Sequence, residues 1–140
     1  MSSISIASTD AEILACFPVM RELRTLLAES EFLTRVRKQM EAGYQIAYLE
    51  DGGAIRAVAG FRFSNALAWG HFMYVDDLVV TESLRGSGYG GILLDWLIAR
   101  AREKGCDQFH LDSGIQRLDA HRFYQQHKLA ISSYHFSMAL

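Results

Sequence analysis

The sequence predicts an α/β (α+β) fold, in which helices accompany a mixed, mostly antiparallel sheet of six to seven strands. Between positions 44 and 80, side chains alternate with a period of two, which is typical of consecutive antiparallel strands. After that, a glycine-rich turn and a helical pattern lead into a short apolar run at 107–112. This arrangement is typical of a helical crossover between parallel strands. We therefore expect the order β-α-α-β-β-β-α-β-α-β.

The first part of the chain predicts one short strand and two helices. Isoleucine alternates with serine at 3–6, and a Ser, Thr or Asp at 8–10 can cap the helix that follows. Pro18, the only proline, should bend or restart this helix near Phe17. A second helix should end at Gly43. We interpret its outer face as solvated, with the basic residues Arg35, Arg37 and Lys38.

Three strands follow in the predicted order, and a tight turn at Asp51-Gly52-Gly53 joins the first two. The third strand should run from about Trp69 to Val80. A last helix is expected over roughly 118–127. Alternating apolar side chains then predict a final strand, with Tyr134, Phe136, Met138 and Leu140 on one face.

Composition limits the classes of protein to consider. A chain of 140 residues with 50% hydrophobic and 21% charged residues predicts one globular domain over residues 1–140. The net charge of -2 argues against a nucleic-acid partner. Two distant cysteines do not predict a disulfide scaffold and favour a cytoplasmic location. Neither they nor the five scattered histidines predict a metal site. The N-terminus lacks the pattern of a signal peptide or membrane anchor, so we expect no membrane partner.

The stretch from Asp76 to Gly91 reads as a strand end, a glycine-rich turn and a helix start. Backbone amides at a helix N-terminus point at one spot and suit a phosphate. Glycines permit positive φ and remove the Cβ atoms that would hold an anion away, while Arg85 adds a positive charge. A plain flexible turn is the alternative. However, four glycines in six residues would begin an ordinary helix poorly, since each costs about 0.5–1 kcal/mol against alanine.

Two common glycine-loop motifs fail on spacing. A Walker loop requires a lysine after its second glycine, and none follows here. A dinucleotide fingerprint could be placed on Gly86, Gly88 and Gly91, with Asp107 near the expected acidic position. That motif belongs to an early strand of a longer unit with a second nucleotide-binding half, which this chain lacks.

The spacing Arg85-x-x-Gly88-x-Gly90, between a strand and an amphipathic helix, resembles the acetyl-CoA motif of the GNAT superfamily of N-acetyltransferases. A second segment, Ala120-His121-Arg122-Phe123-Tyr124, is similar to the family's Ala-x-x-Phe-Tyr segment. The resemblance covers nearly the whole chain, although the first 70 residues match only in pattern. It implies a sheet that is splayed at the coenzyme site, with acetyl-CoA as donor substrate and no metal.

The resemblance also implies which residues bind the coenzyme. In the family, the motif's amides hold the pyrophosphate and the pantetheine arm pairs with the preceding strand. Arg117 stands where the family often has asparagine, so a charged contact would replace a neutral one. The implied coenzyme-binding residues are Leu78, Val79, Val80, Arg85, Gly86, Ser87, Gly88, Tyr89, Gly90, Gly91 and Arg117.

N-acetyl transfer requires a proton acceptor for the attacking ammonium and a proton donor for the departing thiolate. The resemblance implies Tyr124 as the donor, with a core aromatic as the alternative. It implies an acidic residue at the acceptor site, with Asp76 as first choice and Asp77 as second. Either aspartate could instead bind a nearby backbone group or arginine. Neighbours in a strand face opposite sides, so only one should reach the acceptor site unless a β-bulge intervenes.

The function implied is transfer of an acetyl group from acetyl-CoA to a primary amine, by direct attack in a ternary complex. The acceptor could be a small molecule or a peptide amine. The alternative is a non-catalytic coenzyme A binding or regulatory module on the same fold. A homodimer that pairs through the final strand is compatible with both.

Overall fold

The computed structural model describes residues 1–140, which fall into two compact units, Met1–His110 and Leu111–Leu140. The prediction of one domain over the whole chain stays a prediction. Strand β5 (Gln108–Leu111) crosses the boundary, and the second unit holds α5 (Leu118–Gln126). The first unit contains β1 (Ser2–Ile6), α1 (Asp10–Ala15), α2 (Phe17–Leu23), α3 (Glu29–Glu41), β2 (Gln45–Asp51), β3 (Ala54–Ala66), β4 (Gly70–Val80), a 3-10 turn (Glu82–Leu84) and α4 (Tyr89–Glu103).

The strands form one mixed sheet in the order β1-β2-β3-β4-β5. Strands β1 to β4 pair with their neighbours in antiparallel fashion, which confirms the predicted meander. Asp107, just before β5, donates its amide to the carbonyl of His71 at the start of β4, at 2.7 Å. Because these two strands begin at the same end of the sheet, they run parallel, and α4 is the crossover between them.

The first predicted helix is divided into α1 and α2 at Cys16. Pro18 lies in the first turn of α2, where its missing N–H costs nothing. Thr9 caps α1 by accepting the amide of Glu12 at 3.1 Å, and the Glu12 carboxylate accepts the amide of Thr9 at 3.0 Å. Backbone donors at Thr9 and Ser8 lower the pKa of Glu12 to about 2. The proline and this capping box therefore set the boundaries of both helices.

Helices pack on both faces of the sheet within the first unit. On one face, α1, α2 and α3 enclose a buried cluster that includes Ile13, Phe17 and Phe32. On the other face, α4 buries three leucines, and the ring of its Trp96 lies 6.3 Å from that of Phe61 on β3. Burial of each such side chain contributes about 1.5–3 kcal/mol, so this packing holds α4 and the turn before it in place.

A β-bulge interrupts β4 at Asp76. Gly60 pairs with Asp77, but the next residue on β3, Phe61, pairs with Val75, so Asp76 is the extra residue. The expectation that Asp76 and Asp77 face opposite sides of the sheet is therefore wrong. One inserted residue interrupts the alternation, and both side chains line the same cavity.

The predicted final strand is absent, because residues 128–140 have no regular secondary structure. The sheet has five strands rather than six to seven. An alternating pattern indicates a strand only where a neighbouring edge accepts its hydrogen bonds, and this segment has no strand partner. The homodimer expected through it stays a prediction. The alternating side chains of residues 134–140 are largely exposed, with relative exposures of 82% for Tyr134, 93% for Phe136, 82% for Met138 and 116% for Leu140.

Candidate active site

The glycine-rich turn leads from β4 into α4 and leaves open space beside its backbone. Gly86 and Gly88 have φ angles of +85° and +93°, and Gly88 is the residue on which α4 begins. Only glycine adopts these angles at little cost. A Cβ atom built on either residue would meet no protein atom within 4 Å. The space that a side chain would fill is therefore free for a ligand.

The first amides of α4 have no acceptors within the protein. The first hydrogen bond of the helix runs from the Ile92 amide to the Gly88 carbonyl, at 3.1 Å. The preceding amides, of Gly88, Tyr89, Gly90 and Gly91, donate none. With the positive end of a 15-residue helix and the exposed Arg85, they form a group of donors that fits a pyrophosphate.

Two carboxylates anchor this turn to the rest of the first unit. Glu22 of α2 accepts hydrogen bonds from the Thr81 hydroxyl at 2.8 Å and from the Glu82 amide at 2.7 Å. Asp51, at the end of β2, accepts one from the Tyr89 hydroxyl at 2.6 Å. That hydrogen bond to Asp51 raises the pKa of Tyr89. The turn is thus held from α2 on one side and from β2 on the other.

A cavity of about 600 Å³ lies between α2, α3 and the face of the sheet that they cover. Its volume is in the range of small-molecule sites. Asp76, Asp77 and Tyr74 reach it from β4, and Tyr44 reaches it from the start of β2. Its full lining is Met20, Leu23, Arg24, Thr25, Leu26, Leu27, Phe32, Arg35, Val36, Gln39, Tyr44, Tyr74, Asp76 and Asp77.

Two residues hold the Asp77 carboxylate in one orientation. Arg24 donates from Nε to Oδ1 at 2.8 Å, and Tyr44 donates its hydroxyl to Oδ2 at 2.6 Å. Arg24 also donates from Nη2 to the backbone carbonyl of Asp76 at 2.8 Å, which ties it to the bulge. Gly60 leaves room for this arrangement, since a Cβ there would lie 1.8 Å from the Tyr44 hydroxyl oxygen.

Asp76 is paired with a different arginine. Arg62 of β3 donates from Nε to Oδ1 at 3.0 Å and from Nη2 to Oδ2, a bidentate contact that raises the pKa of Arg62. The side chains of Asp76 and Asp77 are 17% and 12% exposed. Each oxygen retains a second lone pair, so either carboxylate can still accept a proton or a water molecule from the cavity.

Tyr44 acts as a hydrogen-bond donor and not as an ionisable group near neutral pH. Burial raises the pKa of its phenol far above the ordinary value, and the neighbouring Asp77 carboxylate raises it further. The hydroxyl therefore stays protonated and keeps its hydrogen bond to Asp77.

In the second unit, Tyr124 lies on α5 and Arg117 immediately precedes that helix. The Tyr124 side chain is half-buried, with the ring of Phe123 5.4 Å away. Burial raises the pKa of the Tyr124 phenol, and the positive charge of Arg117 opposes that shift. The phenol is therefore protonated at neutral pH, the state that a proton donor requires.

Residues 10–128 match the sequence model of the acetyltransferase (GNAT) family. The chain belongs to this family. The matched range includes the turn from Arg85 to Gly91, the two aspartates of β4, and Tyr124.

Relatives support the same class of enzyme. A Bacillus subtilis protein named as the uncharacterized N-acetyltransferase YhdJ is 38% identical over 109 residues, 77% of each chain. The aminoalkylphosphonate N-acetyltransferase of Salmonella typhimurium is 38% identical over 66 residues, 47% of this chain and 43% of that protein. Family membership and these relatives make the chain an enzyme of the acyl-CoA-dependent N-acetyltransferase class.

A solved structure supports the fold alone. The ribosomal-protein-alanine N-acetyltransferase from Brucella melitensis biovar Abortus 2308 has a TM-score of 0.84 at 15% identity. The match covers 100% of this chain and 99% of that one. The chain therefore has the mixed α/β fold of GNAT acetyltransferases, with a five-stranded sheet.

The structure places the sequence-predicted residues in three locations. Asp76 and Asp77 meet in the cavity, the residues from Arg85 to Gly91 form the turn, and Tyr124 and Arg117 lie in the second unit. Leu78, Val79 and Val80 continue β4 from the cavity to the turn. The Val79 side chain is buried in the core beneath the helices and is not available to a ligand.

Sequence reasoning missed three residues that position the carboxylates, namely Arg24, Arg62 and the hydroxyl of Tyr44. The available signal for Arg62 was its position between two phenylalanines, Phe61 and Phe63. Arg24 follows the end of α2 and carries no such signal. The solvated-face interpretation is also incomplete for α3, where Arg35 lines the cavity.

No group of three or more His, Cys, Asp or Glu side chains is placed to hold a metal ion. No helix has the length and apolar character needed to span a bilayer.

Proposed function

We propose that this enzyme transfers the acetyl group of acetyl-CoA to a primary amine, which attacks directly in a ternary complex. The observation that carries the proposal is the placement of two features on β4. The strand ends at a turn whose free amides and open glycines suit a pyrophosphate. A few residues earlier, the same strand carries two carboxylates that line a cavity. From Asp76 to Val80 the strand rises roughly 13 Å, along which the coenzyme arm can extend.

The donor is bound at the turn and along the end of β4. The amides of the first turn of α4 take the pyrophosphate, with Arg85 as an additional cation. Backbone groups of β4 pair with the amides of the pantetheine arm in a splayed part of the sheet. The proposed contacts are Leu78, Val79, Val80, Arg85, Gly86, Ser87, Gly88, Tyr89, Gly90 and Gly91, with Arg117 as a further contact.

The acceptor amine is bound in the cavity, where Asp76, or else Asp77, takes its proton directly or through water. The freed nitrogen attacks the thioester carbon, so that a carbon–nitrogen bond forms and the carbon–sulfur bond breaks. The departing thiolate takes the Tyr124 proton, and the nitrogen loses its second proton as the amide forms, which restores the Tyr124 hydroxyl. The aspartate then gives the first proton to solvent. The products are an N-acetylated amine, free coenzyme A and one proton released to solvent.

The named activities of the relatives support a primary amine as acceptor. Both curated relatives are named as N-acetyltransferases, and the Salmonella typhimurium protein is named for aminoalkylphosphonates. We also propose a cytoplasmic location. Its support is that both cysteines, Cys16 and Cys106, are free thiols, as the reducing cytosol maintains them.

Release of free thiol from acetyl-CoA across a panel of primary amines tests this function, with the acetylated amine identified by mass. We expect amine-dependent thiol release. Protection of the protein by acetyl-CoA without turnover of any amine would favour the non-catalytic coenzyme A binding module.

A further inference from the structure

We propose that the acceptor carries an anionic group in addition to its amine, and that Arg35 binds that group. This inference rests on the proposed function and narrows its substrate class. The class comprises small amino acids and their phosphonate or sulfonate analogues, in which a short chain separates the amine from the anion.

The charges of the cavity carry the argument. Its lining contains two aspartates and two arginines. Arg24 pairs with Asp77, and Arg62 of β3 pairs with Asp76, so both carboxylates already have cationic partners. Arg35 makes no hydrogen bond or ion pair with the protein. The charge left without a partner in the cavity is therefore positive, and it complements an anion.

The other basic residues of α3 differ from Arg35. Arg37 pairs with Asp10 at 2.6 Å and donates to the carbonyl of Ser8 at 3.1 Å, so it joins α3 to the start of α1. Lys38 is exposed and lies outside the cavity lining. Only Arg35 combines a position on the cavity with an unoccupied guanidinium.

Two further donors line the same cavity. Gln39 lies one helical turn after Arg35, and residues four apart share a helix face. Thr25 lines the cavity from the connection between α2 and α3. A guanidinium presents a planar fork that matches a carboxylate or phosphonate in two parallel hydrogen bonds, and an amide or hydroxyl can complete the anion's shell.

An amine without an anion would add a second positive charge to a cavity whose free charge is already positive. An amine with an anion instead places its ammonium near the aspartates and its negative group at Arg35. Most of the remaining lining is apolar and can contact the short chain between the two groups. Binding at both ends would orient the amine for attack.

A matched pair of acceptors tests the inference. β-Alanine and β-alaninamide have the same length and the same amine, but only β-alanine carries an anion. We expect the wild-type kcat/KM to favour β-alanine by about 10- to 100-fold, as a charged hydrogen-bonded contact implies. Arg35→Gln should remove this preference by lowering kcat/KM for β-alanine without lowering that for β-alaninamide. Lys38→Gln removes the same charge from the same helix outside the cavity, and it should retain the preference.

Calorimetry with the same acceptors on protein saturated with coenzyme A separates this inference from the proposed function. Tighter binding of β-alanine or 2-aminoethylphosphonate than of β-alaninamide, lost in Arg35→Gln, supports the anion site even without thiol release. Absence of thiol release with every amine would instead refute the proposed function. Equal or tighter binding of β-alaninamide in the wild type, or equal losses for both acceptors in Arg35→Gln, would overturn the inference.

Discussion

Tyr44 donates its hydroxyl to Oδ2 of Asp77 at 2.6 Å, and this hydrogen bond fixes one oxygen of a carboxylate in the cavity between α2, α3 and the sheet. Arg24 holds the other oxygen of the same carboxylate. Gly60 is required opposite the pair, because any side chain there would occupy the position of the Tyr44 hydroxyl. The geometry of Asp77 thus depends on residues from four elements or their ends, so each can be changed separately.

Tyr44→Phe should lower the free energy of unfolding at pH 7 by about 1.5–3 kcal/mol, since a charged and mostly buried acceptor loses its donor. Urea unfolding measures this change. Tyr134→Phe removes a hydroxyl from a side chain that is 82% exposed and should leave stability unchanged. Equal stability of wild type and Tyr44→Phe would contradict the assigned role of the hydrogen bond.

The same pair gives a signature at alkaline pH. Because the folded protein raises the pKa of Tyr44, its contribution is fully present below the unfolded value of about 10. The contribution is lost as pH rises beyond that value, since the unfolded chain then releases the proton that the folded state retains. Wild-type stability should therefore fall more steeply above pH 10 than that of Tyr44→Phe. Parallel pH curves would exclude this linkage.

The aspartates should differ in their pH–rate profiles. Asp76→Asn should lower turnover at neutral pH by about 10²-fold and recover at alkaline pH, where more of the amine is already neutral. Asp77→Asn should also destabilise the fold, because Arg24 then loses its ionic partner. The bulge brings both side chains to the cavity, so recovery in Asp77→Asn alone would assign the base to Asp77. If both variants kept the wild-type pH–rate profile, neither carboxylate would be the base.

Much of the fold could be predicted from local signals. The proline at 18, the helix cap at 8–10 and the turn at 51–53 act through residues close in sequence, and the structure has the boundaries they predict. The bulge at Asp76 could not be placed, because it depends on the register between β3 and β4. The prediction of a final strand was wrong for a related reason, since alternation does not reveal whether a sheet edge is available for pairing.

At the site, the glycine-rich turn could be predicted from the sequence, whereas the contacts within the cavity could not. The glycines act through their own backbone angles, so their spacing is informative. The partners of the aspartates come from Arg24 and Arg62, which are 52 and 14 residues away from Asp76. Such contacts depend on tertiary packing, which a single sequence does not display.

Tyr89→Phe should weaken acetyl-CoA binding without abolishing it. The change removes the 2.6 Å hydrogen bond to Asp51 and so loosens the turn that carries the free amides. We expect a rise in Kd of about 2- to 10-fold, as for loss of a hydrogen bond worth about 0.5–1.5 kcal/mol. Tyr48→Phe loses a similar hydrogen bond, at 3.0 Å, which joins β2 to Glu12 of α1 and not to the turn, and its Kd should equal that of wild type. Equal changes in Kd for the two variants would show that the Tyr89 hydroxyl does not position the turn for the coenzyme.

Tyr124→Phe should reduce turnover by about 10²-fold with little change in acetyl-CoA affinity, since the ring and its packing remain. Steady-state kinetics and calorimetry on the same preparation measure the two quantities. Phe123→Leu alters the packing of the neighbouring ring and serves as the control for a structural effect. A parallel loss of stability and activity in Tyr124→Phe would favour the core-aromatic interpretation.

The affinity of Gly88→Val for acetyl-CoA, measured by calorimetry, tests whether the coenzyme binds at the glycine-rich turn. The valine would fill the open space beside the free amides and force a side chain onto a backbone with φ of +93°. Gly105→Val is the matched control, because Gly105 has φ of +72°, has equally open surroundings, and follows the opposite end of α4. Gly88→Val should lose measurable binding, whereas Gly105→Val should bind as the wild type does. Wild-type affinity in Gly88→Val would contradict the assignment of the coenzyme to this turn.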